Sequence, residues 1–207
     1  MYLPAHFRDD DRATADALLR AHPFATLVTT LDGAPFATHL PLLLADGGQR
    51  LLGHFARPNP QARCIGTGEP ALAIFHGPHA YVSPRWYHRR PAVPTWNYAV
   101  VHVRGPLQPL ANADELRAVQ AQLVDTFEPA PLPEGVMPET HVEQLSAGIV
   151  GFALAIERVD TKLKFGQHRS LADQQGVEAG LLATAGSDEA ALVALQRRLG
   201  YPKAPGG

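Results

Sequence analysis

Four stretches of this 207-residue chain carry side chains whose types and spacing could do chemistry. The first, Gly53-His54-Phe55-Ala56-Arg57-Pro58-Asn59-Pro60-Gln61, runs off an apolar strand pattern into a proline-opened helix start. Backbone N–H groups at such a start lack intrahelical partners, and the helix dipole favours an anion. Arg57 adds a fork of donors and Asn59 a side-chain amide, so a terminal phosphate could be held there. The plainer alternative is a surface turn with Asn59 as its cap. The second and third stretches, Tyr81-Val82-Ser83-Pro84-Arg85-Trp86-Tyr87 and Val93-Pro94-Thr95-Trp96-Asn97-Tyr98, hold both tryptophans and three of the five tyrosines. Aromatic rings with polar handles suit a planar ligand, with Asn97 bonding its edge. Core or dimer-interface packing is the alternative. The fourth is Lys162-Leu163-Lys164-Phe165-Gly166-Gln167-His168-Arg169. Its two lysines share a face if the preceding strand persists; otherwise the run is a solvated basic end.

Other chemistries find less support. Ten histidines include His76-Gly77-Pro78-His79, but that pair straddles an expected turn, and no HExxH pattern occurs. The single cysteine, Cys64, excludes a thiolate zinc site and any disulfide within the chain. It falls in a short helix beside Ile65 and reads as packing. No nucleophile elbow, phosphate-binding Walker loop or dinucleotide fingerprint is present. The formal net charge is -2, so a nucleic-acid footprint is not advertised. No basic leader precedes a long apolar run, and no apolar stretch approaches the ~20 residues of a membrane span. The expectation is a cytoplasmic protein without a membrane partner and without a metal.

The elements that must position these stretches follow from periodicity. A helix is expected over residues 9–21, opened by Asp9, Asp10 and Asp11. The period then changes to two. Strands are expected at 24–31 and 34–44, joined at Asp32-Gly33 as a type I′ turn. That register pairs Leu31 with Ala34 and Thr26 with His39. It puts Leu27, Thr29, Phe36, Thr38, Leu40 and Leu42 on the core face, and Val28, Ala37, His39 and Pro41 on the other. Further strands are expected at 51–55, at 71–75 with a turn at Gly77-Pro78 and a resumption at 80–82, at 95–107, and at 149–159. A short helix follows Pro58, Asn112 caps a helix to about residue 127, and residues 128–138 form a proline-rich linker. Shorter helices are expected over 139–146, 170–183 and 187–199. About six hairpin-linked strands with peripheral helices describe an α+β, mainly β chain: a small antiparallel barrel.

Taken together, the motifs resemble those of the PaiB-type FMN-binding negative transcriptional regulators. The resemblance rests on Met1-Tyr2-Leu3-Pro4-Ala5-His6-Phe7, on Thr38-His39-Leu40-Pro41, and on Gly53-His54 through Arg57-Pro58-Asn59-Pro60-Gln61. It continues through Tyr81 to Tyr87, through Val93-Pro94-Thr95-Trp96-Asn97-Tyr98 with Val101-His102, and through Lys162 to Arg169 with Asp173, Gly176-Val177 and Ala179-Gly180-Leu181. It implies an FMN-binding split β-barrel, related to pyridoxamine-phosphate-oxidase-like proteins, over residues 1–182. Residues 183–207 would be a helical extension and tail of the same domain. It further implies a homodimer with FMN between subunits. Thr38, His39, Leu40 and Pro41 would lie along the isoalloxazine ring. His54, Arg57 and Asn59 would approach ribityl and phosphate, and Trp96 and Asn97 would close the site. Lys162, Lys164 and Gln167 would contact the flavin or its phosphate. Gly166 and His168 stand where the family usually has Ser and Asn. DNA or a regulatory protein is the implied further partner. Two alternatives stay open: a flavin-dependent oxidoreductase, and a structural dimer whose flavin site has weakened.

Overall fold

The computed structural model describes residues 1–204; the end of the expected tail, residues 205–207, lies outside them. Among the described residues there are nine strands and five α-helices. The strands are β1 (Arg8–Asp9), β2 (Phe24–Leu31), β3 (Ala34–Pro41), β4 (Leu43–Ala45), β5 (Arg50–Ala56), β6 (Pro70–Val82), β7 (Thr95–Pro109), β8 (Ile149–Ala155) and β9 (Arg158–Lys164). The helices are α1 (Arg12–Ala21), α2 (Ala113–Phe127), α3 (Glu139–Ser146), α4 (Leu171–Thr184) and α5 (Ser187–Arg198). The sheet runs β3-β2-β6-β7-β8-β5-β4, with β9 pairing β1 and β7. The pairs β1–β9, β2–β3, β2–β6, β4–β5, β5–β8 and β7–β8 are antiparallel and the sheet is open, which is the expected mainly β, split-barrel class. No helix among the described residues is long and apolar enough to cross a membrane.

The chain divides into two compact units, and β6 and β7 pass from one into the other. One unit comprises residues 19–75 and 102–159. In it the β2–β3 hairpin has the register its turn demands: Leu31 faces Ala34 and Thr26 faces His39. Asp32 and Gly33 both take positive φ, as a type I′ turn requires. Leu27, Thr29, Leu40 and Leu42 are buried, so the expected face is the core face. On β5, Leu51, Gly53 and Phe55 share one face, and Phe55 stacks on Phe152 of β8 with ring centroids 4.5 Å apart. A Cβ at Gly53 would come within 2.6 Å of Leu42 and 3.2 Å of Phe152, so glycine is needed for this packing. Helix α2 covers the opposite face of β5. There Val119 packs with Leu52 and Ala153, and Arg50 pairs with Glu115 at 3.1 Å. Asn112 caps α2 by accepting from the Glu115 N–H.

The other unit comprises residues 1–18, 76–101 and 160–207 as far as described. Arg8 and Asp9 of β1 pair with Lys162 and Thr161 of β9. Helix α4 starts at the Ser170 cap and packs on α5; Val177 and Leu181 of α4 and Leu192 and Leu195 of α5 are buried.

Four details depart from the periodicity. The first helix starts at Arg12, because the Asp11 carboxylate caps it by accepting from the Ala13 and Thr14 N–H groups. The run 34–44 is interrupted at Leu42. No turn occurs at Gly77-Pro78; β6 continues, and Gly77 serves the close approach of Ala99, whose Cβ would lie 3.1 Å from an added one. The expected last strand is two strands. The chain turns at residues 156–157, where the Ile156 N–H donates to Gln49 and the Glu157 N–H to Arg104.

Candidate functional site

In the unit of residues 19–75 and 102–159, the turn that begins at Arg57 spends its donors on the protein itself. The Arg57 N–H donates to Gly148 O, Asn59 N–H to Ala56 O and Ala62 N–H to Asn59 O. Gln61 N–H donates to the Asn59 side-chain oxygen at 2.9 Å. Pro58 and Pro60 have no N–H to give. The Asn59 amide donates to Thr38 Oγ1 at 3.0 Å, tying the turn to β3. The Arg57 guanidinium donates from Nε to Ala147 O and from Nη2 to Ile149 O, at 2.7 and 2.9 Å. What remains for a phosphate is Nη1 and the second N–H of Nη2 on the exposed Arg57, and one N–H of Asn59.

Gln61, which carried no expectation beyond its place in the motif, is the centre of this turn. It is fully buried, and its Nε2 lies within 3.1 Å of Leu27 O and Thr29 Oγ1 and 3.4 Å of Phe36 O. These contacts fix the short 3₁₀ helix Pro60–Cys64 against the hairpin. Strand β3 alternates: Thr38 and Leu40 point to one side, His39 and Pro41 to the other, so only one pair can face a ring lying on the strand. Leu40 is core, whereas His39 is exposed beside Phe24 and accepts or donates at Thr26 Oγ1, 3.0 Å away.

His54 falls on the α2 face of β5, opposite to Phe55. It lines a cavity with Gln120 and Val124 of α2 and Val142 and Ser146 of α3. Burial holds its imidazole pKa below the ordinary value, and its Nδ1 is buried without a hydrogen-bond partner.

In the other unit, the basic and aromatic residues gather on one face. Lys162 and Lys164 share a side of β9, with Leu163 buried between them. Lys164 donates to Thr95 Oγ1 and, at 2.8 Å, to Trp96 O. Lys162 donates to Tyr2 O at 3.1 Å. Both ammonium groups lie over the Tyr98 ring, 5.5 and 5.9 Å from its centroid. Desolvation first, and then the charge of Lys162, lower the Lys164 pKa. Trp96 remains 52 % exposed, with the His79 and Tyr81 rings 6.1 and 6.2 Å away. Asn97 does not join it: the next residue on a strand points to the opposite face, and Asn97 is 3 % exposed. Gln167 folds back on its own turn, accepting from Phe165 N–H and donating to Leu163 O. Gly166 has φ of +82°, which favours glycine over a serine at that position.

The Tyr81–Tyr87 stretch divides its aromatics: Tyr81 joins the face around Trp96 and Trp86 joins the scaffold. Trp86 sits against α4, where added Cβ atoms at Gly176 and Gly180 would lie 2.2 Å from its carbonyl oxygen and its indole. The buried Asp173 carboxylate accepts from the His88 and Arg89 N–H groups at 2.8 and 2.9 Å, anchoring the loop after Trp86. Burial alone would raise the Asp173 pKa, but these donors, Ser170 and the Arg169 charge lower it. The Arg169 guanidinium stacks 4.8 Å from the Tyr87 ring centroid. The signal for this arrangement was the Gly176, Gly180 spacing, one helical turn apart.

A family model described as "Putative FMN-binding domain" matches residues 1–158. The chain is 36 % identical over 182 residues to the protease synthase and sporulation protein PAI 2 of Bacillus subtilis, covering 86 % of this chain and 87 % of that protein. It is 26 % identical to an uncharacterised protein of Emericella nidulans, over 87 % and 90 % of the two chains. Among solved structures, the FAD and haem binding protein from Mycobacterium smegmatis superposes with a TM-score of 0.61 at 24 % identity, over 77 % of this chain and 74 % of that one. A flavocytochrome from Azotobacter vinelandii gives 0.61 at 16 % identity, over 77 % and 70 %. These two likenesses concern the fold.

Proposed function

The chain belongs to the PaiB-like family of FMN-binding domains, with a flavin as its cofactor, and from that premise we propose that it is a homodimeric, flavin-dependent negative regulator of transcription acting in the cytoplasm. The observation that carries the flavin assignment is the face around Trp96. An exposed indole, flanked by two rings and by two ammonium groups crowded over Tyr98, matches a planar ring that carries negative charge. Two close lysines, one of them partly desolvated, repel each other; an anion placed beside them relieves that cost. The side-chain chemistry therefore fits the group.

When bound, FMN supplies a redox-active planar ring. Trp96 would give it a stacking surface. Lys162 and Lys164 would stabilise negative charge at its N1–C2=O edge. For the remaining contacts only the family resemblance speaks: it implies Thr38, His39, Leu40 and Pro41 along a flavin ring, and Arg57 and Asn59, through their remaining N–H groups, at a phosphate, whichever subunit supplies them. Dimerisation at the flavin follows from the family resemblance. The exposed Phe24 and His39 on the outer face of the hairpin supply apolar and polar area for a second copy. A net charge of -2 supports regulation through a protein partner rather than through wide contact with the DNA backbone.

Purification tests this reading directly. The protein should elute as a dimer with a flavin absorbance spectrum, and added FMN should raise the Tm of stripped protein. A colourless protein whose Tm ignores FMN would sink the flavin role. Repression lost on deleting the gene, and restored by the wild type but not by a flavin-free variant, tests the regulatory role. A gel shift should show no retention of DNA by the protein alone.

A further inference from the structure

We propose that the cavity between α2 and α3 binds a small organic cation with an apolar body, independently of the flavin. The cavity measures about 410 Å³. Leu123, Val124, Met137, Val142 and Leu145 make its lining largely apolar, and Leu145 is 58 % exposed. A neighbouring cavity of about 560 Å³ shares Val124 and Met137 with it, so the apolar floor extends toward the proline-rich linker. The Nδ1 of His54, which lines the first cavity, is buried and has no hydrogen-bond partner among the described residues. An unsatisfied buried nitrogen costs free energy until a polar group or water reaches it, which marks the wall as a place for a ligand's N–H or O–H.

Charge selects the occupant. Residues 113–147, which form both helices and the linker, contain seven carboxylates against one arginine, Arg117, no lysine and one histidine, His141. Arg117 also lines the cavity, but Asp114 holds its guanidinium at 2.7 Å. Glu139 and Glu143, one turn apart on α3, line the cavity itself. The chain as a whole carries only -2, so the negative charge is concentrated here. Such a surface repels nucleic acid, anionic lipid and an identical acidic face of a second copy, and attracts an ammonium. A compact apolar body would cover Leu123, Val142 and Leu145 while its cationic head stayed at the Glu139–Glu143 rim in water.

The test is calorimetric titration of the FMN-loaded, full-length protein with three probes that share one body: 4-phenylbutylamine, 4-phenylbutanol and 4-phenylbutyrate. The amine should bind about fivefold more tightly than the alcohol, the attraction of two unit charges 4 Å apart in water. The carboxylate should bind most weakly, and added salt should shrink the differences. Replacing both rim acids, Glu139→Gln with Glu143→Gln, should bring the amine down to the alcohol while leaving the alcohol and the flavin spectrum unchanged. Val142→Trp should abolish binding of all three. Equal binding of the three probes, binding of none up to their solubility, or an amine affinity indifferent to the Gln pair would overturn the proposal. So would a change of oligomeric state on Leu145→Asp, since that would show that protein covers this face.

Discussion

The turn at residues 57–62 and the face around Trp96 draw on the same stock of side chains, cations, amides and groups one residue from a proline, and use them in opposite ways. In the turn nearly every donor has an internal acceptor: Asn59 serves Thr38 and Gln61, Gln61 serves the hairpin, and Arg57 closes on two carbonyls of the α3–β8 connection and the start of β8. On the face, two lysines crowd one tyrosine ring and the indole stays in solvent. A motif whose polar groups mostly close on the protein serves the scaffold first and offers a ligand only what is left over. A motif left with surplus charge and exposed aromatic area is where a ligand gains most.

Substitutions can break or sharpen that contrast. Gln61→Leu should have the largest effect: it takes the Nε2 donor from Leu27 O and leaves Thr29 Oγ1 only the weak Cys64 thiol donor, and should cost about 3 kcal/mol in urea unfolding. FMN affinity, measured on the folded fraction, should stay within about twofold. A stable Gln61→Leu protein that cannot bind FMN would reverse the roles of the two regions. Lys164→Gln should do the converse, weakening FMN about tenfold, near 1.4 kcal/mol, with stability changed by less than about 0.5 kcal/mol.

The same lysine sets a pH dependence. Its ammonium form is the one that attracts the flavin's negative edge, and burial followed by Lys162 depresses its pKa below 10.5. FMN affinity should therefore hold at lower pH and fall as pH rises through that depressed value; in Lys164→Gln this step should vanish from fluorescence titrations. Trp96→Ala should weaken FMN and riboflavin alike, by about fivefold, since stacking ignores the phosphate. The smallest effect belongs to Arg57→Ala. Two carbonyls lose a donor at an exposed site, for about 0.5–1 kcal/mol of stability. FMN should weaken about twofold to threefold more than riboflavin through the remaining Nη1 and Nη2 N–H groups. Equal losses would leave Arg57 wholly to the scaffold.

Local rules made much of the architecture legible. Asp32-Gly33 determined the hairpin register and its buried face, and Asn112 marked the start of α2, because each effect acts within a few residues. Gly77-Pro78 misled for a long-range reason. There glycine makes room for Ala99 across the sheet instead of turning the chain. The break at residues 156–157 was hidden likewise, since its acceptors, Gln49 and Arg104, lie far away in sequence. The candidate site was legible as residue types but not as groupings. Alternation separates Trp96 from Asn97 and Thr38 from His39, and β5 turns His54 toward α2. The partners of Lys162 and Lys164, Tyr2 and residues 95–98, are remote in the chain, and no spacing encodes them.

The groove that Gly176 and Gly180 leave for Trp86 has a spectroscopic consequence. The chain has two tryptophans: one is wedged on α4, the other stands in solvent among aromatic neighbours. Their emission will therefore report different events. The Trp86 signal follows the seating of α4, shifting to the red as that helix detaches. The Trp96 signal is quenched by any acceptor stacked on its ring. A Trp96→Phe protein reads only the first and a Trp86→Phe protein only the second, so one intrinsic fluorophore at a time can clock assembly of the scaffold and arrival of the ligand without an added dye.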